Sequence, residues 1–151
     1  MLDAPARLAR FVDRIPRLYF LLRAVGDGLH ADLGISTGMR GVMTSLAAAP
    51  RTVPELARQR PVSRQHIQTL VNALLAAGLV ETGANPQHRR SPLVRLTDPG
   101  RRQLTEMQRR EADLLGGLGL EVTVAELTTA TRLFDLLERE LAARVAGQEP
   151  R

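Results

Sequence analysis

The 151-residue sequence predicts a mainly α (α+β) fold with a central lobe and a helical lobe built from both chain ends. Three observations carry this prediction. Apolar residues near both ends recur at alternating spacings of three and four, as on one face of a helix. Two short runs with β character, 79–82 and 93–96, lie between them. All 21 basic residues are arginine, and positions 51–102 hold nine of them against three acids, which indicates an anionic partner or a solvated basic face.

The first helix is predicted from an apolar seam that runs from Leu8 to Leu29. Pro16 lies inside this seam, and proline in a helix interior removes a hydrogen bond and clashes with the preceding turn. The sequence therefore predicts either a bend at this position or a helix that restarts there. The stretch 33–38 predicts a break and an N-cap, followed by a short helix that ends before Pro50.

Two helices joined by a tight turn are predicted at Thr52–Arg60 and Ser63–Ala77. Thr52 and Glu55 have the spacing of a capping box, and Pro61 stops the first of the two helices. The second helix has one apolar face, formed by Ile67, Leu70, Val71, Leu74 and Leu75. This arrangement is typical of a helix-turn-helix, whose second helix enters the major groove of DNA.

The opposite face of the second helix carries side chains suited to reading base edges. Arginine pairs with guanine, glutamine or asparagine pairs with adenine, and threonine contacts the thymine methyl group. No acid occurs between Arg64 and Gly78, as expected for a surface that meets phosphate. An ordinary polar surface is the alternative. We predict that the DNA-binding residues on this face are Ser63, Arg64, Gln65, Gln68, Thr69 and Asn72.

A hairpin with a basic tip is predicted between the two β-type runs. The connecting stretch 83–92 contains the turn residues Asn85-Pro86 and the pair Arg89-Arg90. Two guanidinium groups on an extended loop suit a phosphate ridge or a narrow minor groove. The hairpin thus completes the pattern of a winged helix-turn-helix, and Arg89 and Arg90 join the predicted DNA-binding residues. Solvated loop charges are the alternative for this pair.

Two further helices are predicted at 98–119 and 123–146. Thr97-Asp98-Pro99 opens the first helix, and three glycines loosen its end. Thr123 and Glu126 form a second capping-box pattern, and the last helix again has an apolar seam. The tail 148–151 is expected to fray.

The middle of the chain contains the pattern Gly78-Leu79-Val80 and then Asn85-Pro86-x-x-Arg89-Arg90-x-x-Leu93-Val94-x-Leu96-Thr97-x-x-Gly100. This pattern resembles the wing signature of the MarR family of bacterial transcriptional regulators, and the helix order and chain length agree with that family. The resemblance implies a homodimeric winged-helix protein that binds a palindromic operator and is often released by a small molecule. The family commonly has an aspartate where this chain has His88. We expect another group to brace the wing, or His88 to contact phosphate when protonated.

These assignments divide the chain into a dimerisation helix (1–34), a winged helix-turn-helix lobe that binds DNA (35–97), dimerisation helices (98–147) and a frayed tail (148–151). The terminal helices have more apolar surface than the central lobe covers, which predicts a homodimer. A monomeric helical bundle is the alternative. The expected partners are double-stranded DNA and a second copy of the chain, without a membrane.

A small aromatic or phenolic ligand is a further expectation, because the resemblance implies a cleft between the two lobes. Tyr19, Arg23 and His30 lie along the first helix near that cleft, and together they suit an aromatic acid. Each residue also has a structural explanation: a packed aromatic, a surface charge and a cation at a helix end.

Several classes of function are excluded by what the sequence lacks. It has no cysteine, and its three histidines are too scattered for a metal site, so no metal or other cofactor is expected. No nucleophile or phosphate-binding motif occurs, so neither catalytic residues nor an enzyme is expected. No membrane span or secretory signal occurs, which favours a cytoplasmic protein. The expected function is sequence-specific repression of transcription; the alternative is a winged-helix module that binds another protein.

Overall fold

The computed structural model describes residues 3–60, 62–86, 88 and 90–147 and confirms a mainly helical fold with one small hairpin. One compact unit extends to Leu115, and a second begins at Gly116. The hairpin consists of β1 (Val80–Gly83) and β2 (Leu93–Leu96), and a 3-10 turn occupies Ala31–Leu33. The helices are α1 (Ala4–Val12), α2 (Ile15–Leu29), α3 (Thr37–Ala48), α4 (Val53–Gln59), α5 (Arg64–Ala76), α6 (Asp98–Gly116) and α7 (Val124–Ala146).

The N-terminal seam forms two helices rather than one. Helix α1 ends at Val12, and α2 begins at Ile15 with Pro16 in its first turn. A proline fits there because the first backbone N–H groups of a helix have no partner within the helix. Of the two arrangements that Pro16 allowed, the restarted helix is the one observed.

The core lies where α3, α4, α5, the hairpin and α6 meet. Helix α5 buries Ile67, Val71 and Leu74, and Leu70 and Leu75 pack partly buried against the core. This confirms the predicted apolar face. The other elements contribute these residues to the same core: Val42, Met43 and Leu46 of α3, Leu56 of α4, Val94 and Leu96 of β2, and Leu104 and Met107 of α6.

The two helices of the helix-turn-helix begin at the predicted caps. The Thr52 N–H donates to Glu55 Oε2 over 2.6 Å, and the Glu55 N–H donates to Thr52 Oγ1 over 3.4 Å. At the start of α5, the His66 N–H donates to Ser63 Oγ over 3.1 Å. These bonds satisfy N–H groups that a helix leaves unpaired, and so they fix where α5 begins.

The hairpin is antiparallel, with Val80 opposite Leu96 and Gly83 opposite Leu93. Its first strand begins one residue later than predicted. Backbone bonds between Arg51 and Val94 tie β2 to the segment before α4. At the base, Thr97 Oγ1 donates to the Gly78 carbonyl over 2.8 Å, so the hairpin has a fixed origin beside α5.

Helices α1, α2 and α7 expose much of their apolar surface. The described part of these three helices contains no buried side chain. The large apolar residues that are at least half exposed include Leu18, Tyr19, Phe20, Leu21 and Leu22 on α2, and Leu127, Leu141 and Val145 on α7. An exposed apolar surface of this extent is typical of an association site.

Gly100 marks the tight contact between α6 and the start of the hairpin. A Cβ atom at Gly100 would lie 1.9 Å from the Leu79 carbonyl oxygen, whereas a Cβ at Gly116 of the same helix would meet no atom within 4 Å. We therefore expect Gly100→Ala to lower the free energy of unfolding by about 1–3 kcal/mol. Urea titrations at equal protein concentration measure this, with Gly116→Ala as the control. Equal stability of the two variants would contradict the contact.

Candidate nucleic-acid interface

Helix α5 presents the whole predicted polar face to solvent. Ser63 caps the helix, and the burial of Ile67, Val71 and Leu74 turns the other side outward. All six predicted residues on this helix are exposed: Ser63, Arg64, Gln65, Gln68, Thr69 and Asn72. The structure thus places on one outward surface the groups that the sequence assigned to base reading.

Bonds within α5 leave part of this polar face available. Gln68 Nε2 donates to Asn72 Oδ1 over 2.8 Å, which holds the two amides together. The Gln68 oxygen and the Asn72 amino group keep their capacity for other partners. Thr69 Oγ1 donates to the Gln65 carbonyl over 3.0 Å, so its methyl group remains for apolar contact.

The tip of the wing is closed by Asn85. Asn85 Nδ2 donates to the Ser91 carbonyl over 2.8 Å, and the Ser91 N–H donates to the His88 carbonyl over 3.0 Å. These bonds span the loop at the point where the family's aspartate is replaced by His88. His88 and Arg90 are exposed, and Arg89 lies outside the described residues.

A groove of about 370 Å³ joins α5 to the wing. Arg64, Gln65 and Gln68 line one side of it, and Arg90 lines the other. None of its described lining residues is acidic, and neither of these arginines forms an ion pair within the described ranges. Thr82 and Ser91 also line the groove. No sequence pattern indicated either residue. The signal that could have found Thr82 is the hairpin register, which pairs it with Val94 of the same groove.

A second cavity, of about 280 Å³, lies between α2, α3 and α6. Tyr19 and Arg23 line it, as the ligand hypothesis requires, together with Arg40 and Glu111. His30 does not line this cavity. Its side chain is 1% exposed, and its Nε2 atom lies 2.9 Å from Glu111 Oε1. His30 therefore contacts Glu111, which lines the cavity, and does not line the cavity itself.

Glu111 is the centre of a charged cluster that joins α3 and α6 to His30, the C-cap of α2. Both of its carboxylate oxygens accept hydrogen bonds from the guanidinium of Arg40, and Oε1 also contacts His30. Burial by itself raises the pKa of Glu111, but the hydrogen bonds and positive charges of Arg40 and His30 outweigh it and lower the pKa. No local sequence pattern predicts the contact between Arg40 and Glu111, because the two residues are 71 positions apart in the chain.

The fold, together with a groove that no described acid lines, defines a winged helix-turn-helix protein. The sequence model of the MarR family matches residues 41–91 of this chain. The uncharacterized protein Rv2011c of Mycobacterium tuberculosis is 36% identical over 136 residues, which cover 90% of this chain and 93% of the relative. The chain belongs to the MarR family, whose members are transcriptional regulators rather than enzymes.

Solved structures share this fold. A crystal structure of a MarR family transcription regulator is similar with a TM-score of 0.77 and 25% identity, covering 95% of each chain. A mutant of MarR from E. coli complexed with operator DNA has a TM-score of 0.71 and 22% identity, covering 90% of this chain and 99% of that one. CouR from Rhodococcus jostii RHA1, bound to p-coumaroyl-CoA, has a TM-score of 0.71 and 19% identity, covering 85% and 88%.

Two features are absent from the described part of the chain. No group of three or more histidine, aspartate or glutamate side chains there is arranged to hold a metal ion. No helix among those described combines the length and the apolar character that crossing a membrane requires.

The cluster around Glu111 gives the stability of the protein a defined pH dependence. Folding lowers the pKa of Glu111. The contribution of its carboxylate to the free energy of unfolding is therefore complete above the ordinary pKa of 4.5, and it disappears as the pH falls through the lowered pKa. We expect Glu111→Gln to cost about 1–3 kcal/mol at pH 7 and progressively less below pH 4.5. Urea titrations across this range measure the difference.

Asp113→Asn provides the control for Glu111→Gln on the same helix. Asp113 is mostly exposed and pairs with exposed Arg109, so its substitution should have a small effect at every pH. A loss for Glu111→Gln that is constant from pH 7 to pH 3 would contradict the assigned role of the carboxylate.

Proposed function

We propose that this protein is a sequence-specific DNA-binding regulator that places α5 in the major groove and the wing on the flanking backbone. The observation that carries the proposal is the groove in which Arg64, Gln65 and Gln68 face Arg90, with no acid among its described lining residues. Two arginines that form no ion pair within the described ranges lie on opposite sides of this groove and attract phosphate, and the amides between them supply donors and acceptors for base edges. A protein-binding module would not need this combination.

The proposed DNA-binding residues divide into two roles. Arg64, Gln65, Gln68 and Asn72 read base edges, and Thr69 contacts a thymine methyl group. Ser63 has its hydroxyl in the helix cap, so we assign it a phosphate contact at the start of α5. The wing residues His88, Arg89 and Arg90 contact the backbone, where they contribute to affinity more than to sequence preference.

We further propose that the protein is a homodimer that recognises a palindrome. The exposed apolar seams of α1, α2 and α7 need a partner, and a second copy supplies the same seams through a two-fold axis. On this division, residues 35–97 form the DNA-binding lobe, and residues 1–34 and 98–147 form the dimerisation lobe. Two copies of α5 then meet half-sites about 10 base pairs apart.

Regulation by repression and release by a small molecule complete the proposal. A dimer bound to an operator blocks transcription when the operator overlaps a promoter. We place the protein in the cytoplasm, where a bacterial regulator meets DNA. The cavity lined by Tyr19 and Arg23 suits an aromatic or phenolic ligand, and the CouR structure contains the aromatic thioester p-coumaroyl-CoA. In this arrangement His30 acts through Glu111 rather than on the ligand itself.

Selection of binding sites from random duplexes tests the DNA-binding proposal without knowledge of the operator. We expect enrichment of one palindromic sequence. If no sequence is enriched and all duplexes bind equally, the protein binds DNA without sequence preference, and the proposal is contradicted. No binding even at low salt would favour a module that binds another protein.

The two proposed roles predict different losses on substitution. Gln65→Ala should reduce the preference for one base position by about 1–3 kcal/mol. Arg90→Ala should weaken selected and random duplexes alike, and should reduce the slope of log K against log salt by about 1 per wing. Fluorescence anisotropy with both duplexes measures these effects. Identical behaviour of the two variants would contradict the division of roles.

The dimer proposal predicts that a charge on the α7 seam prevents association. Leu141 is 55% exposed in the single chain, and burying a carboxylate at its position should weaken the dimer by about 2 kcal/mol or more. Sedimentation velocity of Leu141→Glu should therefore show monomer at concentrations where the wild type is dimeric. Ala143→Glu, two residues along the helix and on its other side, is the control. A dimer that survives Leu141→Glu would contradict the use of this seam.

A further inference from the structure

Two amide side chains on the outward face of α5 are hydrogen-bonded to each other. Gln68 Nε2 donates to Asn72 Oδ1 over 2.8 Å, and both side chains are exposed. The residues are four positions apart, so they are neighbours on the same side of the helix. Gln68 also lines the groove that Arg90 lines from the wing. The pair therefore begins inside the proposed DNA interface.

The bond between the amides divides their remaining hydrogen-bonding capacity unequally. A free amide side chain has one oxygen with two lone pairs and two N–H donors. Gln68 uses one donor on Asn72 and keeps its other N–H together with its whole oxygen. Asn72 accepts through its oxygen, which is thereby turned toward Gln68, and keeps both N–H donors. Within the described residues, neither side chain has another hydrogen-bond partner.

We propose that this bond assigns the two amides to different bases, Gln68 to adenine and Asn72 to guanine. In the major groove adenine presents one acceptor, N7, and one donor, the N6 amino group, whereas guanine presents two acceptors, N7 and O6. The acceptor and the donor that remain on Gln68 match adenine. The two donors that remain on Asn72 match guanine, although an asparagine outside such a pair matches adenine.

A bond between amides four residues apart also stabilises a helix slightly, and this is the alternative explanation. The surroundings of the pair favour recognition. Arg64 lies four positions before Gln68, so one guanidinium and two amides form a row along the exposed side of α5. No described residue that lines the adjoining groove is acidic. A pair that only stabilised the helix would change the free energy of unfolding and leave the base preference unaltered.

This inference deepens the proposed function and rests on it, because it names the bases that α5 reads. The two claims fail in different ways. If no sequence is enriched from random duplexes, both are overturned. If a palindrome is enriched but has other bases at the two positions, the protein is still a sequence-specific regulator, and only the assignment of the amides is overturned.

Selection with single variants locates the two base positions and tests the assignment. Asn72→Asp keeps the oxygen that Gln68 binds but removes both N–H donors of the side chain. A carboxylate accepts from the amino group of cytosine, so the preference at the Asn72 position should change from guanine to cytosine by about 10-fold. The adenine preference at the Gln68 position should be retained. Because the added charge weakens every duplex, each preference is a ratio between duplexes at one salt concentration.

Asn72→Ala is the contrasting variant, because it removes the acceptor as well as the donors. It should abolish the guanine preference and also weaken the adenine preference, since the amide of Gln68 is then free to rotate. Fluorescence anisotropy with duplexes that differ at one base measures both ratios. Both substituted residues are exposed, so every variant should fold, and circular dichroism checks this.

A double-mutant cycle measures whether the two amides act together. After Asn72→Ala, the further change Gln68→Ala should reduce the adenine preference by about 5-fold less than it does in the wild type. The control cycle pairs Gln65→Ala with Asn72→Ala. Gln65 is another exposed amide of α5, seven positions from Asn72 and not bonded to it within the described residues, so this cycle should be additive.

Three results would overturn the assignment. The first is a different base at either position, including the reverse order with guanine at the Gln68 position. The second is a guanine preference that survives in Asn72→Asp. The third is additivity of Gln68→Ala and Asn72→Ala, which would show that the bond between the amides has no part in base recognition.

Discussion

The burial of one face of α5 is the constraint on which the rest of the molecule depends. Ile67, Val71 and Leu74 are buried against α3, α4, the hairpin and α6, so the helix cannot rotate without exposing them. This burial fixes which side of α5 faces solvent. The caps at Thr52 and Ser63 fix where the two helices begin, and the bonds at Arg51 and Thr97 fix the hairpin beside them. An acid-free surface of amides and arginines then follows from the order of residues along the helix.

The arginines of the described chain differ in whether a nearby acid balances their charge. Near the groove, Arg64 and Arg90 have no acid among the described residues, which leaves them for DNA in our proposal. In the cavity, the charge of Arg40 is neutralised by Glu111. On α6, Arg110 bonds to both Asp32 and Glu106, so that helix is tied to the segment after α2. Net charge alone would not reveal this division.

The sequence predicted the features that depend on neighbours a few residues away. Capping boxes at Thr52 and Thr123, the helix restart near Pro16 and the apolar face of α5 are local patterns, and the structure contains them all. The sequence did not predict the cluster of His30, Arg40 and Glu111, because Glu111 is 71 positions from Arg40 and 81 positions from His30.

Site-directed cleavage of DNA tests most directly that the polar face of α5 meets the bases. The chain has no cysteine, so a single cysteine can carry an iron-EDTA cleavage reagent at one chosen position. With the reagent on Gln68→Cys, we predict cuts in the selected duplex at two places about 10 base pairs apart, and with it on Arg139→Cys of α7 we predict none there. Equal, unpositioned cleavage from both proteins, or cleavage directed only from α7, would contradict the account.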